Sequence, residues 1–238
     1  MSSTSVKKNL QGRWLQVIRD FALVVVIICG LRWSLGEPFL VPSGSMIPTL
    51  LVKDYILVSK FSYGLRIPFT KKWFWGPRTP QRGDVVVFRS RDDDYYFMVK
   101  RVVGLPGDKI VVGRKGERLV INDKPILQIV QPEIKEEGFE YFEETLGDVE
   151  HLVQYETVGN DWESEQEREF IVPDGHLFLM GDNRDRSSDS RVWGSLPITN
   201  LLGKAQWIWM SCKEDAPAAS VFCIGEDMRQ ERVFTKIR

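Results

Sequence analysis

A serine hydroxyl attacks a carbonyl only when a base removes its proton. Residues 42–50, PSGSMIPTL, hold two serines around a glycine, between two prolines. The prolines at 42 and 48 stiffen the loop, and Gly44 lets another backbone come close. In an extended conformation Ser43 and Ser45 point the same way. One hydroxyl can then attack while the other, with a backbone N–H, holds the developing oxyanion, a role worth roughly 3–4 kcal/mol. The same stretch also fits a plain serine-rich turn. Histidine is the usual base, yet the chain has only His151, in an acidic region, and His176, beside a turn, and neither sits in a catalytic motif. Lysine is the natural alternative, as in serine–lysine variants of the triad. The S-x-x-K spacing is absent near Ser43 and Ser45, so a partner lysine must come from elsewhere in the chain.

A lysine works as a base only when neutral. In residues 95–103, YYFMVKRVV, strand alternation groups Tyr96, Met98, Lys100 and Val102 on one face and Phe97, Val99, Arg101 and Val103 on the other. Each face carries one cation among apolar neighbours. Shielding from water lowers a lysine pKa, and bringing it from about 10.4 to near 7 costs on the order of 5 kcal/mol. The neutral amine is then a competent general base, which arginine cannot become. This singles out Lys100 over Arg101. The plainer alternative is a lysine that snorkels from a sheet edge into water.

A third stretch, GDNRDRSSDSR at 181–191, alternates Asp182, Asp185 and Asp189 with Arg184, Arg186 and Arg191. That balance suggests internal ion pairing, or a solvated loop. A calcium loop fits poorly, since the required glycine and terminal glutamate are missing.

The elements that must position these residues are mostly strands. After Pro38 the pattern turns to short alternating runs broken by Gly and Pro: DYILVSKF, GDVVVFRS, DYYFMVKRVVG, DKIVVG, ERLVINDK, HLFLMGD and KAQWIWMSC. Leu105-Pro106-Gly107-Asp108 marks a turn between two of them. The expectation is a mostly β fold, a barrel-like or folded sheet system. The 238-residue chain has a formal net charge of -1, so nothing argues for a nucleic-acid partner. Residues 131–169 nonetheless carry fourteen acids against two bases, a net of -12, which leaves about +11 on the rest. The chain reads as a basic body, suited to an anionic lipid surface, with an acidic solvated lobe inserted at 112–172. The catalytic β domain is then expected in two parts, 37–111 and 173–238.

The uncharged run FALVVVIICGL, residues 21–31, follows Lys7, Lys8, Arg13 and Arg19. Alone it is short of the about 20 residues a spanning helix needs. Apolar residues on both sides extend it, and Arg19 and Arg32 can snorkel to the interfaces. A retained single anchor over residues 1–36, with the basic N-terminus inside, is the expectation. A cleaved signal peptide and a buried helix are the alternatives. Cys29 lies in this run as a small apolar residue. Cys212 and Cys223 flank a loop that can bring them together, and in an oxidising compartment they pair or stay free. No zinc-type cysteine pairing exists and only two histidines are available, so no metal site is expected.

Together and in this order, EPFLVPSGSMIPTL, GDVVVF, MVKRVVGLPGD and GDNRDRSSDSRVWG resemble the diagnostic boxes of bacterial type I signal peptidase, the membrane-bound leader peptidase. The resemblance covers most of residues 37–211. It implies Ser45 as nucleophile and Lys100 as general base, with Ser43 supplying the oxyanion-hole hydroxyl alongside the Ser45 N–H. It implies that Ser187 hydrogen-bonds and orients the lysine, that Asp189 and Arg191 pair to hold their loop, and that Asp182 and Arg101 are supporting charges. Phe39, Val41, Leu50, Ile56, Val87 and Val99 match positions lining shallow apolar pockets that admit small residues at -1 and -3. The implied function is a serine endopeptidase that removes signal peptides from secreted preproteins, without metal or cofactor. Its implied partners are those signal peptides, the lipid bilayer and the secretion translocon. Its place is the bacterial cytoplasmic membrane, single-pass, with the catalytic domain on the extracytoplasmic side. Ser45 follows the anchor by only about ten residues, at up to about 3.5 Å each, so the site must lie at the bilayer surface. Some family members have two N-terminal spans where this chain shows one, and the acidic insert and Cys212/Cys223 match no family feature with a known role. Two other readings fit individual features: a self-cleaving serine–lysine protease, which the anchor and the lack of a helix-turn-helix disfavour, and a membrane-tethered β binding module.

Overall fold

A computed structural model describes residues 14, 16–25, 36–66, 73–90, 96–113, 119–157, 167–215, 223 and 225–238. Among these the strands in chain order are β1 (Glu37–Leu40), β2 (Asp54–Ser59), β3 (Leu65–Arg66), β4 (Trp73–Trp75), β5 (Val85–Arg89), β6 (Phe97–Gly104), β7 (Lys109–Val112), β8 (Leu119–Ile121) and β9 (Lys124–Pro125). They continue with β10 (Gln128–Val130), β11 (Phe139–Leu146), β12 (Val149–Glu156), β13 (Arg168–Ile171), β14 (His176–Met180), β15 (Leu196–Pro197), β16 (Leu201–Ser211) and β17 (Thr235–Lys236). The fold is mostly β, as the alternating runs predict.

The main sheet runs in the order β1-β2-β16-β5-β6-β14-β15, with β17 added to β16. Its centre is buried on both faces, which is why β5 reads VVVF without polar alternation. Val85, Val87 and Val99 join Val41, Met46, Leu50, Ile56 and Ile208 in one cluster. Val86, Phe88 and Val102 face the other way, onto Leu177, Leu179, Leu196 and Leu201. Each such side chain, fully buried, contributes roughly 1.5–3 kcal/mol.

Two edges of this sheet remain open. Among the described residues β14 pairs with β6 only between Arg101 and Gly104, so residues 97–100 have β5 on one side and no strand on the other. β1 pairs with β2 alone. The sheet curls until these edges approach, and the Phe39 and Phe97 rings meet edge-on with centroids 5.5 Å apart.

The acidic region differs from the solvated lobe expected. β7, β8, β9 and β13 form one small sheet, and β10, β11 and β12 another, with β11 and β12 as eight-residue strands. Most of its acids do face solvent, but Glu144 is fully buried, and the β11–β12 hairpin is tied to the loop after β14 by the Gln154 N–H, which donates to the Asp182 carbonyl. Acid counting misses this because one strand presents acids outward while Tyr141, Glu144 and Leu146 turn inward.

Cys212 and Cys223 form a disulfide. The apolar run at 21–31 is described only as far as residue 25. Residues 14 and 16–25 are helical, with exposed side chains. Among the described residues no helix is long and apolar enough to cross a membrane, so the expected single anchor is not seen in the fold.

Candidate active site

Ser45 sits in the turn that leaves β1, and Lys100 on β6 opposite Val86. Lys100 Nζ lies 2.5 Å from Ser45 Oγ, although 55 residues separate them in the chain. The lysine is only 3 % exposed. Burial lowers its pKa to about 8, partly opposed by the charges of Asp189 and Asp182 and assisted by that of Arg191. Among the described residues no carboxylate reaches ion-pair distance of its amine. The arrangement is chemically a hydroxyl held against an amine that is easily discharged. Ser43 stands exposed beside it, at the mouth of the same cleft.

The loop after β14 closes the site from behind. Asn183 N–H donates to the Ser45 carbonyl at 3.2 Å, and Asn183 Nδ2 donates to the Gly44 carbonyl at 3.0 Å. Gly181 must be glycine: a Cβ there would lie 2.4 Å from the Ser45 carbonyl oxygen and 2.2 Å from Ser187 Oγ. The internal ion pairing expected of this loop is limited to Asp189 with Arg191; Asp182, Arg184 and Arg186 pair with Arg101, Glu144 and Glu156 on other segments. Arg101, on the face of β6 opposite Lys100, grips Asp182 with Nε and Nη2 at 2.8 and 2.7 Å. Asp189 takes Arg191 Nε and Nη2, both at 2.9 Å, and also the Gly181 N–H. Burial pushes both carboxyls up, but the adjacent guanidinium overrides it and holds each below the usual carboxylate range. The hydrogen bond expected from Ser187 to the lysine is not made. Ser187 Oγ is buried against Gly181, and its hydroxyl, hydrogen-bonding toward Asp189, helps hold that carboxyl low.

Residues 14–210 match the family model described as signal peptidase, peptidase S26. The chain belongs to that family. It is 42% identical to signal peptidase I of Pseudomonas fluorescens, over 87% of this chain and 76% of that protein. To signal peptidase I of Rickettsia felis it is 39% identical, over 90% of this chain and 86% of that protein. A solved signal peptidase I from Enterococcus faecalis aligns at 24% identity and a TM-score of 0.34, covering 52% of this chain and 95% of that one.

Around Ser45 and Lys100 the peptidase has a small open cleft of about 50 Å³ between the two free edges. Phe39, Val41, Ile56, Val87 and Val99 line it, with Ser43, Ser45 and Lys100 at one end. Leu50 does not. It is fully buried in the core, where the Leu50 N–H donates to the Met46 carbonyl at 2.9 Å and so shapes the serine turn from within. Sequence reasoning also missed lining contributed by Leu40, Tyr96, Phe97 and Met98.

It missed a second tier too. Arg184 donates to Glu144 through Nη1 at 2.8 Å and Nη2 at 2.5 Å, all of it buried, and the Gln154 N–H donates to the Asp182 carbonyl at 3.0 Å. Burial raises Glu144, but Arg184 overrides it and holds the carboxyl low. His151 Nε2 sits 3.5 Å from Glu144 and 3.8 Å from Asp182. Burial and the Arg101 charge push this histidine down to about 4, so it stays neutral at working pH. A signal for Glu144 exists in the sequence: strand alternation puts it on one face between Phe142 and Leu146, where a solvated acid has no reason to be.

Proposed function

We propose that the peptidase removes N-terminal signal peptides from exported preproteins, with Ser45 as nucleophile and Lys100 as general base. The contact of a buried, readily neutral amine with the Ser45 hydroxyl carries this reading. Nζ takes the hydroxyl proton as Oγ bonds to the scissile carbonyl carbon. The oxyanion forms toward Ser43 Oγ and the Ser45 N–H. The ammonium then returns the proton to the leaving amine, and an acyl-enzyme remains. That leaving amine carries away the mature chain; water, deprotonated by Lys100, then attacks the ester, and the proton passes back to Ser45 as the signal peptide is freed.

The shape of the cleft supports cleavage after small residues at -1 and -3. Its volume admits short side chains, and an extended peptide can pair with the free edges that flank it. Asp182, Arg101, Asp189 and Arg191 would keep the loop rigid around the dyad. The N-terminal segment, residues 1–36, is proposed as a single membrane anchor that holds residues 37–111 and 173–238 on the extracytoplasmic face, beside the translocon. Cleavage of a purified preprotein by the full chain in lipid tests the reading. Ser45→Ala and Lys100→Met should each lower kcat by about 10³-fold or more. A charged amine cannot accept the proton, so kcat/KM should rise with pH through about 8 and then level. Near-full activity in Lys100→Met, or a profile still climbing beyond pH 10, would overturn the assignment.

A further inference from the structure

The hairpin of β11 and β12 reaches the serine turn through one bridging segment, residues 182–184. On one side of it, Gln154 of β12 pairs in parallel with Asn183. The Gln154 N–H donates to the Asp182 carbonyl and the Arg184 N–H donates back to the Gln154 carbonyl, both at 3.0 Å. On the other side, Asn183 donates its N–H to the Ser45 carbonyl at 3.2 Å and its Nδ2 to the Gly44 carbonyl at 3.0 Å. Three stretches of backbone therefore lie side by side, and the outermost belongs to the acidic insert.

The two bonds from Asn183 hold both peptide planes that meet at the Ser45 Cα. A trans peptide unit is planar, so its carbonyl and its N–H point in opposite directions. Fixing the Gly44 carbonyl therefore fixes the direction of the Ser45 N–H, the proposed oxyanion donor. Fixing the Ser45 carbonyl restrains the plane that follows. The insert supplies the hold on the far side of this segment. Glu144 of β11 takes Arg184 Nη1 and Nη2 at 2.8 and 2.5 Å, and it also accepts Gln128 Nε2 at 2.7 Å. Farther along, the Glu156 N–H donates to Asp185 Oδ2 at 2.7 Å. Glu144 and Arg184 are both fully buried, so water cannot stand in for either partner.

From this chain of contacts we infer that Glu144 is a positioning residue for the reaction: through Arg184 it clamps β12 against residues 182–184, and Asn183 then sets the angle at which the Ser45 N–H meets the oxyanion. The inference rests on the proposed roles of Ser45 and its N–H. It makes the acidic insert part of the catalytic apparatus rather than an appendage to it. An oxyanion donor works when it is held about 3 Å from the place where charge develops, so a small rotation of this peptide slows the reaction and leaves substrate binding alone.

The test uses the full chain in lipid and Glu144→Gln, which keeps the shape of the side chain and removes its charge. Preprotein cleavage should show kcat lower by about 10- to 100-fold, short of the about 10²–10³-fold that follows loss of a whole oxyanion donor, with KM within about 2-fold of wild type. Two inhibitors separate positioning from damage to the fold. A signal-peptide aldehyde adds to Ser45: the Oγ–carbon bond forms, the carbonyl π pair becomes the oxyanion, and the hydroxyl proton passes to Lys100. The corresponding peptide alcohol has no carbonyl to attack and only binds. An inhibition constant does not depend on the fraction of enzyme that is folded. Glu144→Gln should therefore bind the aldehyde about 10- to 100-fold more weakly and the alcohol as the wild type does. Should Glu144→Gln fail to fold, Arg184→Lys, which keeps the buried charge pair and loses the fork, should give the same pattern at smaller size. Wild-type kcat in Glu144→Gln, or equal weakening of aldehyde and alcohol in either variant, overturns the inference. A wild type that binds the aldehyde no more tightly than the alcohol would instead sink the Ser45 assignment beneath it.

Discussion

Lys100 and Arg101 are neighbours on β6, both almost fully buried, and they meet opposite environments. Arg101 faces Asp182 through two hydrogen bonds, and further acceptors at the Gly83 carbonyl and Thr49 Oγ1 complete its fork. Lys100, on the other face, meets the Ser45 hydroxyl and, among the described residues, no carboxylate in contact. A buried cation with a bonded anion becomes a fixed tie, while one without it gives up its proton more easily. The Arg191–Asp189 and Arg184–Glu144 pairs repeat the first solution around Ser45 and Lys100. By keeping their own carboxylates engaged, these arginines leave the amine only distant negative charge, and burial prevails.

Lys100→Arg breaks this contrast most severely. Arginine retains positive charge and stays protonated, so cleavage should fall about 10³-fold or more, while circular dichroism and the unfolding midpoint change far less. A preprotein assay across pH checks it, since raising the pH to 10 should rescue nothing. The converse change is Asp182→Asn, which strands the Arg101 guanidinium in the interior. Removing one partner of such a pair costs about 3–5 kcal/mol, and urea unfolding of the full chain should show a loss of that size. An unchanged midpoint would mean that Arg101 is not held by this carboxylate.

The same contrast explains what was legible in the sequence. Ser45 and Lys100 stand out because each lies in a short segment whose local geometry, a proline-bounded turn and an alternating strand, already limits what the side chain can do. Most of the main-sheet strands are visible for the same reason: DYILVS alternates, and VVVFR and HLFLM are short apolar runs, each complete within five or six residues. The ties are harder to read. Glu144 and Arg184 are 40 residues apart, so Phe142 and Leu146 beside Glu144 hint at its burial but nothing local names its partner. Ser187 and Leu50 show the opposite error. Their positions in the boxes suggested direct contact with lysine or substrate, yet packing turns Ser187 against Gly181 and Leu50 into the core. The cysteine pair was left open by the sequence because its closure depends on how β16 and the C-terminal segment meet, and the fold brings them together.

Lys100→Met sharpens the comparison through stability rather than rate. Below pH 8 the folded wild type must hold a buried ammonium, while the unfolded chain keeps its lysine charged in water, so the native state is penalised. From pH 8 to about 10.5 the folded state has already released its proton and the unfolded chain has not, so wild-type stability rises with pH. Above that, both are neutral and the penalty is gone. Converting the shift gives about 3 kcal/mol, from which the lost Ser45 hydrogen bond subtracts about 1. Lys100→Met should therefore be inactive yet more stable than wild type by about 2 kcal/mol at pH 6–7, with the advantage gone by pH 10.5. Paired urea titrations at those two pH values measure it. A variant that is less stable than wild type at pH 6 would show that the ammonium is well accommodated, and that Lys100 resembles Arg101 after all.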